Sequence, residues 1–156
     1  MLDQHAQTLP AEVFGALCRD RTIDMITLGV RTGRLRTVEI WFWRIEGRII
    51  ICGTPDPSSD GGSRPKQRNW LVNLRAHPDF WFCLKESLQF ALPATAREIT
   101  DEASRRHIMQ APETSWYRDH VDDPEHLVQH SPIIEVRFRA TLPTLSSSVR
   151  MPGHRR

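Results

Sequence analysis

One stretch of eight residues, 29–36 (GVRTGRLR), concentrates groups that bind anions. Its candidate residues are Arg31, Thr32, Gly33, Arg34 and Arg36. Guanidinium groups donate forked, charge-assisted hydrogen bonds to multi-oxygen anions, and a glycine that accepts positive φ lets backbone amides approach a ligand. The set suits a phosphate. A solvated turn that holds no ligand would have the same composition, and the pattern is neither a Walker motif nor a Rossmann fingerprint.

A second basic segment, 63–70 (SRPKQRNW), runs from a polar loop into the predicted start of a helix. Amides at a helix start form an anion site, although a solvated helix start would look the same. Trp70 is the tryptophan that we expect to line a pocket. Two basic segments flanking one hairpin together indicate a ligand with anionic groups at one end and a flat ring at the other. The candidates here are Lys66, Arg68, Asn69 and Trp70.

Other kinds of chemistry have weaker support in the sequence. His126 and His130 have i,i+4 spacing beside two aspartates, but a polar surface helix explains them better than a metal site, and we predict no metal. Three widely spaced cysteines without a CxxC pair argue against a disulfide framework or a zinc ribbon. No GxSxG motif is present, so the sequence assigns no catalytic residue.

Composition narrows the function classes. The 156 residues are 39% hydrophobic and 26% charged, which suits one globular domain. The net charge of +2 is too small to predict a nucleic-acid-binding barrel, despite the clustered arginines. The longest purely apolar run, 49–52, is far below the ~20 residues of a membrane span. The first ten residues lack the features of a secretory signal, so we expect a cytoplasmic protein.

The elements that would position these groups are mostly β-strands. Residues 37–45 give the strongest strand signal, and Glu46-Gly47 predicts a hairpin turn into a strand at 48–54. Six strands with peripheral helices indicate a mainly β, six-stranded antiparallel barrel over residues 10–142. We expect flexible tails at 1–9 and 143–156. Further strands are predicted at 23–28, 79–85, 88–99 and 131–142, and helices at 10–21, 67–76, 101–109 and 116–129.

Two features of these strands carry further expectations. Strand 37–45 is apolar on both faces, so we expect a barrel interior on one side and a helix or second subunit on the other. This favours a homodimer that buries part of the Trp41, Trp43 and Ile45 face. Pro93 within the fifth predicted strand, 88–99, indicates a sheet edge or a bulge.

Residues 22–54, followed by 69–85, resemble the deazaflavin-dependent nitroreductase family of split β-barrel flavoproteins, which is related to the pyridoxamine phosphate oxidases. The family's basic turn reads approximately Gly-Arg-Lys-Ser-Gly-Lys-Pro-Arg, and this chain has Val30 and Leu35 in place of a basic residue and the proline. The family's helix reads Trp-x-x-Asn-Leu-x-Ala-x-Pro. Its counterparts here are Trp70, Asn73, Leu74, Ala76 and Pro78.

The resemblance implies the FMN-binding split barrel fold and binding of the deazaflavin coenzyme F-420, with FMN as the alternative cofactor. It places the coenzyme's phosphate or oligoglutamate tail on the basic turn and adds Asn73 to the candidate cofactor-binding residues. The implied reaction is hydride transfer to a small oxidised acceptor such as a quinone, nitroaromatic or enone. The alternative function is a non-catalytic carrier of the cofactor on the same fold.

Overall fold

The computed structural model describes residues 9–55 and 68–139. Within these ranges the chain forms an antiparallel sheet and five α-helices. The strands are β1 Thr22–Leu28, β2 Leu35–Trp41, β3 Trp43–Ile45, β4 Arg48–Cys52, β5 Asp79–Leu84, β6 Phe90–Glu98 and β7 Ile133–Phe138. The helices are α1 Ala11–Arg19, α2 Asn69–Ala76, α3 Glu102–Gln110, α4 Ser115–Asp119 and α5 Pro124–His130, with a 3-10 turn at Pro112–Thr114.

The sheet curls into a barrel because its two edge strands are consecutive in the chain. The strand order is β2-β1-β5-β6-β7-β4-β3, so β2 and β3 lie at opposite edges. Phe42 alone separates them, which brings the two edges together, and its N–H donates to the carbonyl of Arg21 at 2.9 Å. The predicted strand 37–45 is therefore two strands, and the described sheet has seven strands instead of six.

The barrel interior is filled by alternate residues of the strands, as the period of two requires. Phe42 and Phe82 meet there edge-on, with ring centroids 5.1 Å apart. Helices α1 and α2 add their apolar sides to the same core, through Val13, Ala16, Leu17, Trp70, Leu71 and Leu74. The helix start that carries the candidate residues is thereby fixed against the barrel.

A second core lies on the other face of β3, β4 and β7, under helices α3, α4 and α5. Trp43 and Ile45 pack there against residues such as Tyr117 and Leu127 of the same chain. The argument for a second subunit on Trp43 and Ile45 is therefore wrong, because the protein's own helices cover them. Trp41 is still 37% exposed, and a homodimer stays a prediction.

Smaller features of the fold confirm or correct the sequence analysis. The hairpin turn at Glu46 and Gly47 is confirmed, with φ of 51° and 77°. The edge or bulge expected at Pro93 is wrong, because β6 lies between β5 and β7 in unbroken register. The carbonyl of Pro93 accepts from the N–H of Arg139, which lies just beyond the end of β7. The N–H that proline lacks would therefore fall where the β6–β7 hydrogen bonds end. The predicted tails, apart from Leu9, lie outside the described residues.

Candidate functional site

The basic turn closes the hairpin between β1 and β2 with its own hydrogen bonds. Gly29 N donates to the carbonyl of Arg34 at 2.8 Å, and Gly33 N donates to the carbonyl of Gly29 at 2.9 Å. Arg34 N donates to Thr32 Oγ1 at 3.2 Å. Gly33 has a φ of 65°, which confirms the expected left-handed conformation. The turn is therefore a defined loop held between two paired strands.

The three arginines of the turn have no acidic partner among the residues that the structure describes. Arg31, Arg34 and Arg36 are exposed, and no ion pair or side-chain hydrogen bond involves them there. Glu39, the nearest acidic residue along the strand from Arg36, instead pairs with Lys85. Three guanidinium groups on one short loop are thus available to an anion.

Gly29 is a point of close approach within the turn. A Cβ added there would lie 2.8 Å from Thr32 Oγ1, 3.0 Å from the carbonyl oxygen of Arg34 and 3.5 Å from Arg36 Cγ. The first contact is closer than real Cβ atoms show and the second is tighter than most, so any side chain at this buried position would force the turn to shift. The stem of Arg36 consequently lies alongside the turn that carries Arg31 and Arg34.

Asn73 brings helix α2 against the turn. Its Oδ1 accepts from the backbone N–H of Val30 at 3.1 Å, and its Nδ2 donates to Thr27 Oγ1 at 3.2 Å. Asn73 and Thr27 are both buried. The structure therefore places Asn73 of α2 directly against the arginine turn (residues 29–36).

The remaining candidates are placed differently. Arg68 donates from Nε to the carbonyl of Thr54 and from Nη2 to Thr54 Oγ1, both at 3.2 Å, so its fork is already occupied. Asn69 is exposed at the first residue of α2. Trp70 is only 9% exposed and packs in the barrel core, and its role beside a ligand stays a prediction. Lys66 lies outside the described residues.

Sequence reasoning missed Gly29 and Thr27 as parts of this site. Thr27 follows Ile23 and Met25 at the interior-facing positions of β1, and all three are buried. A hydroxyl at an interior position needs a partner, so this break in the apolar series was the available signal. No comparable signal marks the backbone N–H of Val30.

Metal and thiol chemistry gain no support from the described part of the chain. No three histidine, cysteine, aspartate or glutamate side chains come together there in a way that would hold a metal ion. Burial raises the pKa of Cys52 to about 12 and that of Cys83 to about 11, so both thiols stay protonated near neutral pH. Among the same residues, no helix is long and apolar enough to cross a membrane.

A curled antiparallel sheet whose edge strands are joined by one residue defines a split β-barrel protein. Solved structures share this fold. An F420 reductase has a TM-score of 0.59 at 14% identity, over 85% of this chain and 97% of that one. A Clostridium acetobutylicum protein of the pyridoxinephosphate oxidase family, related to general stress protein 26 of B. subtilis, has a TM-score of 0.56 at 12% identity, over 81% of each chain. A FAD-binding protein from Mesorhizobium loti has 0.54 at 13% identity, over 84% and 91%.

These structures share too little sequence with this chain to show more than the fold, so the family is assigned from the sequence. The model of the F420H(2)-dependent quinone reductase family matches residues 5–133. The chain belongs to this family, and the split-barrel flavoprotein resemblance carried by the turn and the α2 motif is confirmed.

Proposed function

We propose that this protein is a reductase that binds coenzyme F-420 and passes a hydride to a quinone. The observation that carries the proposal is the arginine turn, which contacts helix α2 through Val30 and whose three guanidinium groups have no carboxylate partner among residues 9–55 and 68–139, in a chain of this family. Nitroaromatics and enones remain the other acceptor classes for the same reaction.

The donor set of the turn suits the coenzyme's tail. Arg31, Arg34 and Arg36 offer forked donors, and within the described residues no carboxylate competes for them. Phosphate and glutamate carboxylates are the oxygen-rich anions that such forks grip. We assign these three residues to the tail, with Thr32 as a further hydroxyl donor. FMN carries a single phosphate and would use fewer of these groups, which favours coenzyme F-420 over FMN.

The protein's own contribution is binding and orientation, because the cofactor carries the chemistry in this class of reaction. Reduced coenzyme F-420, when bound, supplies the hydride. The arginine turn fixes the anionic end, and the buried side of α2 fixes the turn through Asn73. The protonated thiols of Cys52 and Cys83 take no part as nucleophiles.

The test is a pair of titrations followed by a turnover assay. Indole fluorescence should report tighter binding of coenzyme F-420 than of FMN. Anaerobic mixing of the protein with reduced coenzyme F-420 and a short-chain quinone should then oxidise the coenzyme, measured by the return of its absorbance. Equal or tighter FMN binding would contradict the cofactor assignment. Binding without oxidation by any acceptor in a quinone, nitroaromatic and enone panel would support a cofactor carrier instead.

We also propose a homodimer, which keeps Trp41 from the face first expected and adds Trp116 in place of Trp43 and Ile45. Trp41 and Trp116 are 37% and 41% exposed, with ring centroids 5.1 Å apart, and together they form an apolar surface. Light scattering at micromolar concentration should give twice the chain mass, and a monomer at that concentration would contradict the dimer.

A further inference from the structure

A buried amide connects the helix to the turn that carries the arginines. Asn73 is 9% exposed and Thr27 is 2% exposed, so neither polar side chain has ready access to solvent. Burying an amide or a hydroxyl without a hydrogen bond costs free energy, and here each group finds the other. The carbonyl end of the Asn73 side chain is left to accept from Val30 N at 3.1 Å.

The chemistry of position 73 differs from that of its neighbours on the same side of α2. Trp70, Leu71 and Leu74 are buried and contribute to the barrel core. A leucine at 73 would continue this apolar side but would leave the Val30 N–H and the Thr27 hydroxyl without their partner. The Asn73 amide therefore orients the arginine turn as well as filling space on the buried side of α2.

The hydrogen bond from Val30 N to Asn73 Oδ1 lies next to Arg31, the first arginine of the turn. Val30 directly precedes Arg31, and Arg36 lies opposite Thr27, the other partner of Asn73, in the β1–β2 register. Holding Val30 and Thr27 against the helix thus limits where the backbone that carries these two arginines can lie. A turn that is ordered before the ligand arrives loses less conformational freedom on binding.

We infer that Asn73 is a positioning residue for the cofactor's anionic tail, acting through the arginine turn and not by direct contact with the ring. This inference rests on the proposed function. It requires that the loss of Asn73 weakens binding of the tail selectively, while the ring, bound by other parts of the site, is unaffected.

The experiment compares two ligands on one variant. Asn73→Leu is titrated with coenzyme F-420 and with the deazaflavin that keeps its ribityl chain but lacks the phosphate and everything beyond it. We expect the Kd of the full coenzyme to rise about tenfold, the effect of one lost hydrogen bond, and the Kd of the truncated ligand to stay within about twofold. An equal rise for both ligands, or no rise for either, would overturn the inference.

A double-mutant cycle with Arg36→Ala separates positioning from a general effect on the fold. If Asn73 acts through the turn, Arg36→Ala should weaken binding less in the Asn73→Leu background than in the wild type. Additive effects would contradict this. Val72→Ala, at a 38% exposed position on the same helix, is the matched control and should bind both ligands as the wild type does.

A second variant covers the case in which Asn73→Leu does not fold. Thr27→Val removes the partner of Asn73 Nδ2 and leaves the bond to Val30 in place. It should give the same selective loss for the full coenzyme at a smaller size, and an equal loss for both ligands would again overturn the inference. A wild-type protein that binds the full coenzyme no better than the truncated ligand would contradict the proposed function itself.

Discussion

Trp43 and Tyr117 share a buried hydrogen bond, in which the indole Nε1 donates to the phenol oxygen at 3.1 Å. The same hydroxyl donates to the carbonyl oxygen of Cys52 at 3.0 Å. Burial raises the pKa of Tyr117, so the hydroxyl keeps the proton that it donates. One side chain of α4 therefore fixes the ends of β3 and β4 under the second core.

Replacing Tyr117 by Phe should lower the free energy of unfolding. The change keeps the ring but leaves Trp43 Nε1 and the Cys52 carbonyl unpartnered in the core. We expect a loss of at least about 1–3 kcal/mol, the cost of a buried polar group without its hydrogen bond, measured by urea denaturation. Ser115→Ala at an exposed position of the same helix is the control and should change little. An unfolding free energy equal to that of the wild type would show that water satisfies both groups.

Replacing Arg36 by Ala should weaken cofactor binding and leave the fold intact. We expect a loss of ~1.5–3 kcal/mol, or about 10- to 150-fold in Kd, with little change in the saturated rate. Arg36→Lys should recover part of the loss, because a point charge does not reproduce the fork. Raised salt should weaken the wild type more than the alanine variant. An unchanged Kd in the fluorescence titration would remove Arg36 from the tail site.

The two glycines of the turn should respond differently to alanine. Gly29→Ala places a Cβ 2.8 Å from Thr32 Oγ1 and 3.0 Å from a backbone carbonyl, so the turn must shift and cofactor binding should weaken several-fold. Gly33→Ala meets no atom within 4 Å but must adopt a φ of 65°, which costs about 1–2 kcal/mol of stability. Its Kd should change less than that of Gly29→Ala. The reverse order of the two Kd values would contradict the packing argument.

Stability should fall on the alkaline side because of the buried thiols. In the unfolded chain thiols titrate near 9.0, whereas burial raises the folded pKa to about 12 for Cys52 and about 11 for Cys83. A raised folded pKa gives stability that is complete below the unfolded value and is lost as pH rises toward the folded value. Tm should therefore decline as pH rises above about 9.0, and the decline should continue toward about pH 11 to 12. Tyr117 adds to the decline at the upper end of that window.

The control for this decline is a variant without the two thiols. Cys52→Ala with Cys83→Ala should have a lower Tm at pH 7 but a flatter dependence on pH. Cys18, which is exposed, is the one cysteine that a thiol reagent should modify in the folded protein at pH 8. A pH dependence as steep as that of the wild type would assign the decline to other groups.

The strands and the hairpin at Glu46 and Gly47 could be predicted because their sequence signals are local, but the pairing of strands far apart in the chain could not. Val38, Ile40 and Phe42 keep one parity through the end of β2, so nothing in the pattern marks the break at Phe42. What changes there is the hydrogen-bonding partner, from β1 to β4, and pairing depends on residues far along the chain. The two apolar faces were recognised correctly, while their cover by α3–α5 depends on tertiary packing.

The candidate site also has features that local sequence could predict and features that depend on tertiary contacts. The anion-binding character of the turn follows from its residue types and its glycine, which the sequence displays directly. The occupation of Arg68 by Thr54, and the bond from Asn73 to Thr27, depend on how α2 lies against the barrel. That placement follows from core packing, so a charged residue in a promising segment could not be distinguished from one already paired.

The position of β7 in the sheet has a consequence for how the protein reaches its native state. β7 pairs with β6 on one side and β4 on the other, and it is the last strand of the described chain. The β1–β2, β3–β4 and β5–β6 pairs connect nearby residues and can form early, whereas barrel closure requires contacts of high sequence separation. Until β7 is synthesised, β4 and β6 each present an unpaired edge. Those two edges are where intermolecular strand pairing, and hence aggregation of the nascent chain, would begin.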